Sequence, residues 1–308
     1  MQKHAEYLKI NNDKTFQEAA ISLFNYQVRE CNIYQKYILN LGIDPSTVHD
    51  FKSIPFLPIE LFKSFPIVSG EGSADLIFRS SRTTGQDPSE HHVLDASIYN
   101  ASIDKGFEIF FGQPSDYAIL ALLPSYLERN DASLVYMAER LINHSANAFS
   151  GFFLNDYEKL IDTIEKLLEK GQRFILLGVT FALLDLVERK NFHLEGNIVI
   201  ETGGMKGRRQ ELTKSELHDA LKQGLQTAEI HSEYGMTELL SQGYCGPDLI
   251  FSTPAWMQVQ LRDVSDPMAQ VPVGQRGAIN IIDLANLNSC SFIATDDIGR
   301  IVPGGFSL

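Results

Sequence analysis

Three short segments carry side chains suited to nucleotide chemistry. Ser80-Ser81-Arg82-Thr83-Thr84-Gly85 is rich in hydroxyls and closes on a glycine, so its O–H and backbone N–H groups can wrap phosphate oxygens without a dedicated helix. Glu233-Tyr234-Gly235-Met236-Thr237-Glu238 combines an aromatic ring, a hydroxyl and a carboxylate, a set able to stack a base, touch a phosphate and ligate a hard divalent cation. Thr295-Asp296-Asp297-Ile298-Gly299-Arg300 offers a carboxylate that can accept hydrogen bonds from both hydroxyls of a ribose. Each alone has a plainer reading: hydroxyl- and glycine-rich stretches are mostly turns, and a Thr-Asp-Asp run is mostly a solvated strand end. Taken in order along the chain, the three make the parts of a split ATP site.

Glu238 has the strongest claim to metal chemistry, as a Mg²⁺ ligand beside a triphosphate, against the plain alternative of a glutamate in the first turn of a helix. Gly203 and Gly204, after a short apolar run, let a flat ring approach the backbone, with an ordinary turn as the alternative. Lys206, Arg208 and Arg209 form a basic cluster in an acidic chain; the arginines read as solvated, and Lys206 stays open as an anion contact. Asp297 is the candidate for the ribose, and a shift of one residue selects Asp296 instead. No Gly-x-Ser-x-Gly elbow, Gly-x-Gly-x-x-Gly fingerprint or Walker A sequence occurs, so serine hydrolase, dinucleotide and P-loop readings lack their first requirement.

The order and wording of these motifs resemble the AMP-forming acyl-activating superfamily, the group of acyl-CoA synthetases, adenylation domains and firefly luciferase. Its phosphate loop reads roughly Ser-Ser-Gly-Thr-Thr-Gly-x-Pro-Lys, followed later by Tyr-Gly-x-Thr-Glu and Thr-Gly-Asp. Tyr234 to Glu238 is the most specific match. Two further segments, Ser53-Ile54-Pro55-Phe56-Leu57-Pro58-Ile59-Glu60-Leu61-Phe62-Lys63 and Glu201-Thr202-Gly203-Gly204-Met205-Lys206, look like the acyl-protein synthetase branch, the LuxE-like proteins of fatty-acid reductase systems. The matches span residues 53 to 300.

This resemblance implies ATP or AMP and Mg²⁺ as cofactors and a carboxylic, in particular fatty, acid as substrate. The acid becomes acyl-AMP and the acyl group passes to a thiol of an acceptor or carrier protein. It assigns nucleotide binding to Ser80, Ser81, Arg82, Thr83, Thr84, Gly85, Gly203, Gly204, Tyr234, Gly235 and Asp297. Catalysis falls to Thr237, Glu238 and Lys206, with Glu238 on the metal, and His231 becomes a candidate for the acyl pocket or, more plainly, a satisfied core histidine. The chain departs from the pattern in places. Arg82 stands where the superfamily has glycine, Ser89 follows Asp87-Pro88 where a lysine often follows proline, and the superfamily's C-terminal lid, with its lysine, is expected to be missing or vestigial here. LuxE-like proteins are acylated on a cysteine near their C-terminus, and none follows Cys290. Two alternatives therefore stay open: a non-catalytic homologue that binds a nucleotide or acyl ligand and acts through a partner, and an acyl-CoA ligase.

The composition is globular. At 308 residues and 44% hydrophobic content the chain can bury a substantial core, and a formal net charge of −13 argues against nucleic acid or an anionic membrane as a general partner. No apolar region follows the N-terminal residues, and no apolar run is long enough for a bilayer, which predicts no membrane span and a cytoplasmic protein. Three cysteines, Cys31, Cys245 and Cys290, are too few and too unevenly spaced for a disulfide framework or zinc site, and read as buried thiols.

The elements that must position these residues follow from periodicity. Helical spacing covers 16–41 and stops at Gly42; a proline-punctuated stretch, 53–67, runs extended; helices are predicted over 97–111, 157–170, 182–189 and 211–224, the last with Thr213 and Glu216 as a capping box. Strands are predicted over 117–123, 174–177, 198–200 and 228–231, the last delivering the Tyr234 motif on its C-terminal loop. Beyond 249 the pattern changes to short strands over 257–261, 278–282 and 291–295. The expected architecture is α/β: an adenylation body of mixed sheets flanked by helices over 1–248, with a helical region over 1–50, and a β-rich subdomain over 249–308.

Overall fold

The structure, a computed structural model, describes residues 4–80, 87–123, 131–203, 212–272 and 274–308. It is mixed α/β and divides into two compact units, Asp104–Tyr234 with Gly243–Phe251, and Met1–Ile103 with Gly235–Gln242 and Ser252–Leu308. Neither unit is contiguous, whereas the sequence reading divides the chain once, between 248 and 249. The cause is pairing between remote segments, which local periodicity does not encode.

In the Asp104–Tyr234 unit, strands Gly151–Phe152, Ala118–Leu122, Phe174–Val179, Ile198–Thr202 and Ile230–Tyr234 lie in that spatial order and pair in parallel; Gly243–Cys245 adds an antiparallel strand beside Ile230–Tyr234. Every residue of Ala118–Leu122, Phe174–Val179 and Ile198–Thr202 is buried, as parallel strands covered on both faces require. Helices Ser133–Ser145, Tyr157–Glu169, Thr180–Arg189 and Lys214–Leu225 connect them. The capping box forms as expected: the Thr213 hydroxyl accepts from the Glu216 backbone N–H while the Glu216 carboxylate accepts from the Thr213 backbone. A side chain at Gly224 would meet Val187 Cβ at 2.5 Å, so a glycine there permits close packing of the last two helices. Helix Ser133–Ser145 has no counterpart in the sequence reading: it lacks a side-chain N-cap, although Val135, Ala138 and Leu141 share its buried face.

In the other unit the sheet is mainly antiparallel. Met257–Arg262 pairs with Arg276–Asp283, which pairs with the long strand Phe292–Val302, followed by Gly305–Ser307; Leu57–Pro58 joins Phe292–Val302 in parallel. The helical stretch predicted over 16–41 is two helices, Asp13–Glu30 and Asn32–Asn40, because Cys31 between them is extended at φ −103°, ψ 100°. Buried Gln27 donates to the Asn286 and Leu287 carbonyls and accepts from the Ser291 N–H, and the rings of Phe24, Tyr34 and Phe292 meet at 6.1 Å between centroids. These contacts join the N-terminal helices to the C-terminal strands. A separate hairpin pairs Leu76–Arg79 with Glu90–Val93. All three cysteines are free and buried. Among the described residues no helix is long and apolar enough to cross a membrane.

Candidate functional site

Of the hydroxyl-rich segment only Ser80 is described; it follows the strand Leu76–Arg79, which pairs with Glu90–Val93. Two hydrogen bonds join Ser80 to Ser89 across the strand ends: the Ser80 N–H donates to the Ser89 carbonyl at 3.1 Å, and the Ser89 N–H donates to Ser80 Oγ at 2.9 Å. Arg79 donates to Glu90 across the strand ends at 2.8 Å. Ser81, Arg82, Thr83, Thr84 and Gly85 lie outside the described residues.

Thr237 and Glu238 form a tight turn, not the first turn of a helix, so the plain reading of Glu238 does not hold. The Glu238 side chain is buried, and burial raises its carboxyl pKa; the Ser89 hydroxyl and Lys63 oppose the rise and Asp296 adds to it. The turn is gripped from several sides. His91 Nδ1 meets the Thr237 carbonyl at 2.8 Å and Asn286 Nδ2 donates to the Glu238 carbonyl at 2.6 Å. The N–H groups of Leu240 and Ser241 both donate to Asp283 Oδ2 at 2.9 Å, the Ser241 hydroxyl donates to Asp283 Oδ1 at 2.7 Å, and Trp256 Nε1 donates to that hydroxyl at 2.9 Å.

Thr295-Asp296-Asp297 is not a strand end but a bulge within Phe292–Val302. Ala294 pairs with Asn280 and Ile298 with Ala278, so three residues face Ile279 alone. Such bulges re-aim side chains beside functional sites. Thr295 Oγ1 donates to the Ile279 carbonyl at 3.0 Å and accepts from the Asp297 N–H at 3.2 Å, while Arg262 donates to the Thr295 carbonyl and to Asn280 Oδ1. Asp297 is half-buried, and Asp296 is exposed and is the carboxylate whose charge Glu238 and Arg262 feel. The Asp296 charge thus makes ionisation of the buried Glu238 carboxyl costlier still, on top of burial. No group of three or more His, Cys, Asp or Glu able to hold a metal occurs among the described residues. Beside the ends of the strands Leu76–Arg79 and Glu90–Val93 lies a cavity of about 390 Å³ lined by Lys63, Phe65, Arg79, Pro88 and Glu90 among others. Lys63 and Arg79 are the functional candidates that motif reading missed; Lys63 was visible only as part of a family match.

The remaining candidates belong to the Asp104–Tyr234 unit. Tyr234 is the last residue of its strand, three positions beyond the predicted end at His231, and its buried ring meets Phe251 edge-on at 5.9 Å. Gly203 has φ +69°, a conformation that favours glycine, and its carbonyl accepts from the Thr180 hydroxyl at 3.1 Å. Gly204 and Lys206 lie outside the described residues. His231 is half-buried, packs edge-on against Phe111 and pairs with Glu229.

Beside these stands a polar cluster that sequence reading did not single out. The fully buried Glu201 carboxylate pairs with Lys214 and accepts from the Thr180 hydroxyl at 2.8 Å. Glu233 accepts from the Thr202 hydroxyl, and burial pushes its pKa up to about 7, with Thr202 and Lys214 opposing and Glu201 adding to the shift. His218 shares a 2.8 Å hydrogen bond with Ser232, and burial pulls its pKa down to about 4. Glu201, ending the apolar run Ile198 to Ile200 in a fully buried strand, was the available signal.

The sequence matches no protein-family profile and no curated protein. Solved structures do match. 2-Hydroxyisobutyryl-CoA ligase in an open conformation, in complex with 2-HIB-AMP and CoA, is similar with a TM-score of 0.70 at 14% identity, over 94% of this chain and 65% of the ligase. The chain carries the adenylate-forming ligase fold. ATP-bound MatB from Rhodopseudomonas palustris is similar with a TM-score of 0.57 at 16% identity, over 77% of this chain and 48% of MatB. The same CoA ligase in its postadenylation state, in complex with R3-HIB-AMP, gives 0.64 at 15% identity. The chain thus spans less than two thirds of the length of these ligases.

Proposed function

We propose that this chain activates a carboxylic acid with ATP and hands the acyl group to a thiol. In the first step a carboxylate oxygen of the acid attacks the α-phosphorus, the bond from that phosphorus to the bridging oxygen breaks, and pyrophosphate leaves with the electron pair. In the second a thiolate attacks the acyl carbon and AMP departs. The observation that carries this reading is the buried Glu238 carboxylate on a turn pinned by four side chains, beside Ser89, which is hydrogen-bonded to Ser80 of the hydroxyl-rich segment, in a fold shared with ligases solved with acyl-AMP and ATP.

Ser80 to Gly85 are proposed to cradle the departing pyrophosphate, with Lys63 and Arg79 adding charge beside Ser80. Tyr234 and Gly203 are assigned to the base of the nucleotide, and Asp297 to its ribose. Glu238, with Asp296 beside it, would hold Mg²⁺ together with substrate phosphates, and bound there it would offset charge gathering on the pyrophosphate. Thr237 is proposed to touch phosphate, and Lys206 to contact the acid or acyl-phosphate. The acceptor follows two lines of support: the LuxE-like motifs favour a protein or carrier thiol and a fatty acid, and the CoA ligase structures favour CoA.

Hydroxylamine trapping of the activated acyl group, with ATP, Mg²⁺ and acids of graded chain length, tests the first step. The expected product is a hydroxamate that needs all three components; none from any acid contradicts the reading. Arg82 in a loop position that is glycine in the superfamily supports a second reading, a nucleotide-binding homologue without turnover. ATP raising the melting temperature without any hydroxamate selects that reading.

A further inference from the structure

We propose that Arg262 is the positioning residue for the ribose carboxylate: its guanidinium holds the bulge at residues 295–297 in register, so that Asp297 and not Asp296 meets the sugar. The role of Asp297 rests on the reading above; the grip of Arg262 on the bulge stands on geometry.

A bulge of this kind needs fixing. Thr295, Asp296 and Asp297 together face Ile279, and regular pairing holds on either side, Ala294 with Asn280 and Ile298 with Ala278. The ladder is interrupted between those pairs, so backbone pairing alone does not specify where the extra residues sit. A slip of one residue turns side chains over to the other face of a sheet, and here it would exchange Asp296 for Asp297. The two side chains are chemically identical, and only their placement tells them apart: Asp297 is half-buried and Asp296 exposed.

Arg262 supplies the fixing bonds from two strands away. It is the last residue of Met257–Arg262, opposite Ala278, and its side chain crosses Arg276–Asp283 to reach Phe292–Val302. Nη1 donates to the Ile279 carbonyl at 2.8 Å and to Asn280 Oδ1 at 2.7 Å, and Nη2 donates to the Thr295 carbonyl at 2.6 Å. These acceptors belong to the residue opposite the bulge, to its neighbour, and to the first residue of the bulge itself. A guanidinium is planar with its donors rigidly set, so binding all three fixes Ile279, Asn280 and Thr295 relative to one another; a lysine ammonium has no such fork. The Thr295 hydroxyl passes that position on, donating to the same Ile279 carbonyl at 3.0 Å and accepting from the Asp297 N–H at 3.2 Å. Thr295 and Asn280 are buried and Arg262 is half-buried, which shields these bonds from competing water.

Calorimetric binding of ATP, 2′-deoxy-ATP and 3′-deoxy-ATP to the full chain tests this, for wild type, Arg262→Met and Arg262→Lys, below the lowest melting temperature of the set. Asp297→Ala and Asp296→Ala serve as references. Wild type is expected to bind each deoxy analogue on the order of tenfold to a hundredfold more weakly than ATP, the scale of a hydrogen bond to a charged group. Asp297→Ala should abolish that preference and Asp296→Ala should keep it. Both Arg262 variants are expected to lose most of the preference, by weakening ATP while the deoxy analogues stay near their wild-type affinity, a change that loss of stability alone does not produce. Thr295→Val, which drops the hydroxyl that carries the Asp297 N–H, should do the same and gives the reading if the Arg262 variants do not fold. A folded Arg262→Met or Arg262→Lys variant with the wild-type preference overturns the positioning role and leaves Asp297 on the ribose. A preference that Asp296→Ala removes and Asp297→Ala keeps overturns the choice of carboxylate. A wild-type chain that binds the three nucleotides alike, or binds none of them, defeats the ribose reading itself and with it the role of Arg262.

Discussion

The turn that carries Glu238 and the strand ends that carry Glu201 and Glu233 both bury carboxylates, by different means. Around the turn, Asp283 is satisfied by neutral donors alone: the N–H groups of Leu240, Ser241 and Ala285 and the Ser241 hydroxyl. At the strand ends, Glu201 leans on the Lys214 ammonium, and Glu233 keeps its proton to near neutrality. Neutral donors have direction and fix a backbone path atom by atom. Charges hold without much direction, and their grip changes with protonation. The first arrangement suits a residue that must aim at a substrate; the second suits a cluster whose net charge matters more than its angles.

Asp283→Ala is expected to show the largest effect. It leaves buried N–H groups at Leu240, Ser241 and Ala285 without an acceptor, which costs about 3–5 kcal/mol. Urea unfolding at unchanged m value measures it, and Asp283→Asn, which keeps one acceptor, should lose clearly less. A loss near zero for the alanine variant would mean that the turn does not depend on this carboxylate.

Lys214→Met comes next. Removing the partner of the buried Glu201 is expected to cost about 1–3 kcal/mol, less than for a fully buried pair because the ammonium is partly exposed. Adding Glu201→Gln should recover most of that loss, since the uncompensated charge is then gone. A double-mutant cycle without such recovery would show that Lys214 acts through packing of its stem.

The pH dependence of stability separates the regions further. The Glu233 carboxyl has its pKa raised to about 7 in the folded chain, against about 4.3 when unfolded. The folded state therefore binds the extra proton between those values, and the stability this confers is complete below the lower one and lost as pH rises through 7. Glu233→Gln should abolish that decline and make the chain more stable than wild type at pH above 7. His91 and His218 act in the opposite sense. Their pKa values are held near 4, so the stability of their neutral forms is complete above the unfolded value of about 6.5 and lost as pH falls toward 4. Thermal melts across this range, for wild type and Glu233→Gln, read both limbs.

What the sequence disclosed was local. The helices over Ala96–Phe111 and Tyr157–Glu169 and the Thr213/Glu216 capping box follow from spacing within a few residues, and the structure has them. The motif Tyr234 to Glu238 was named from five adjacent residues, although the turn it makes at Glu238 was not. What stayed hidden depends on pairing across the chain. His91 and Thr237 are 146 residues apart, and nothing near either announces the other. The bulge at Thr295 to Asp297 exists only against the register of Arg276–Asp283, so a strand ending near Thr295 was the natural expectation and an eleven-residue strand is what forms. The break at Cys31 interrupts an apolar rhythm that runs on through it. Glu201 was legible in principle, as a charged residue inside a buried strand, but its partner Lys214 arrives from the following helix.

The central claim is that Glu238 serves acyl-adenylate formation, and pyrophosphate release from ATP in the presence of Mg²⁺ and a carboxylic acid tests it most directly. Burial already favours the neutral form at this position, so Glu238→Gln is expected to fold with a melting temperature close to wild type. A neutral amide is a far weaker ligand for a hard cation, and the rate should fall by roughly a hundredfold or more, the scale of losing one electrostatic contact to the transition state. Wild-type pyrophosphate release by the folded Gln variant would contradict the account.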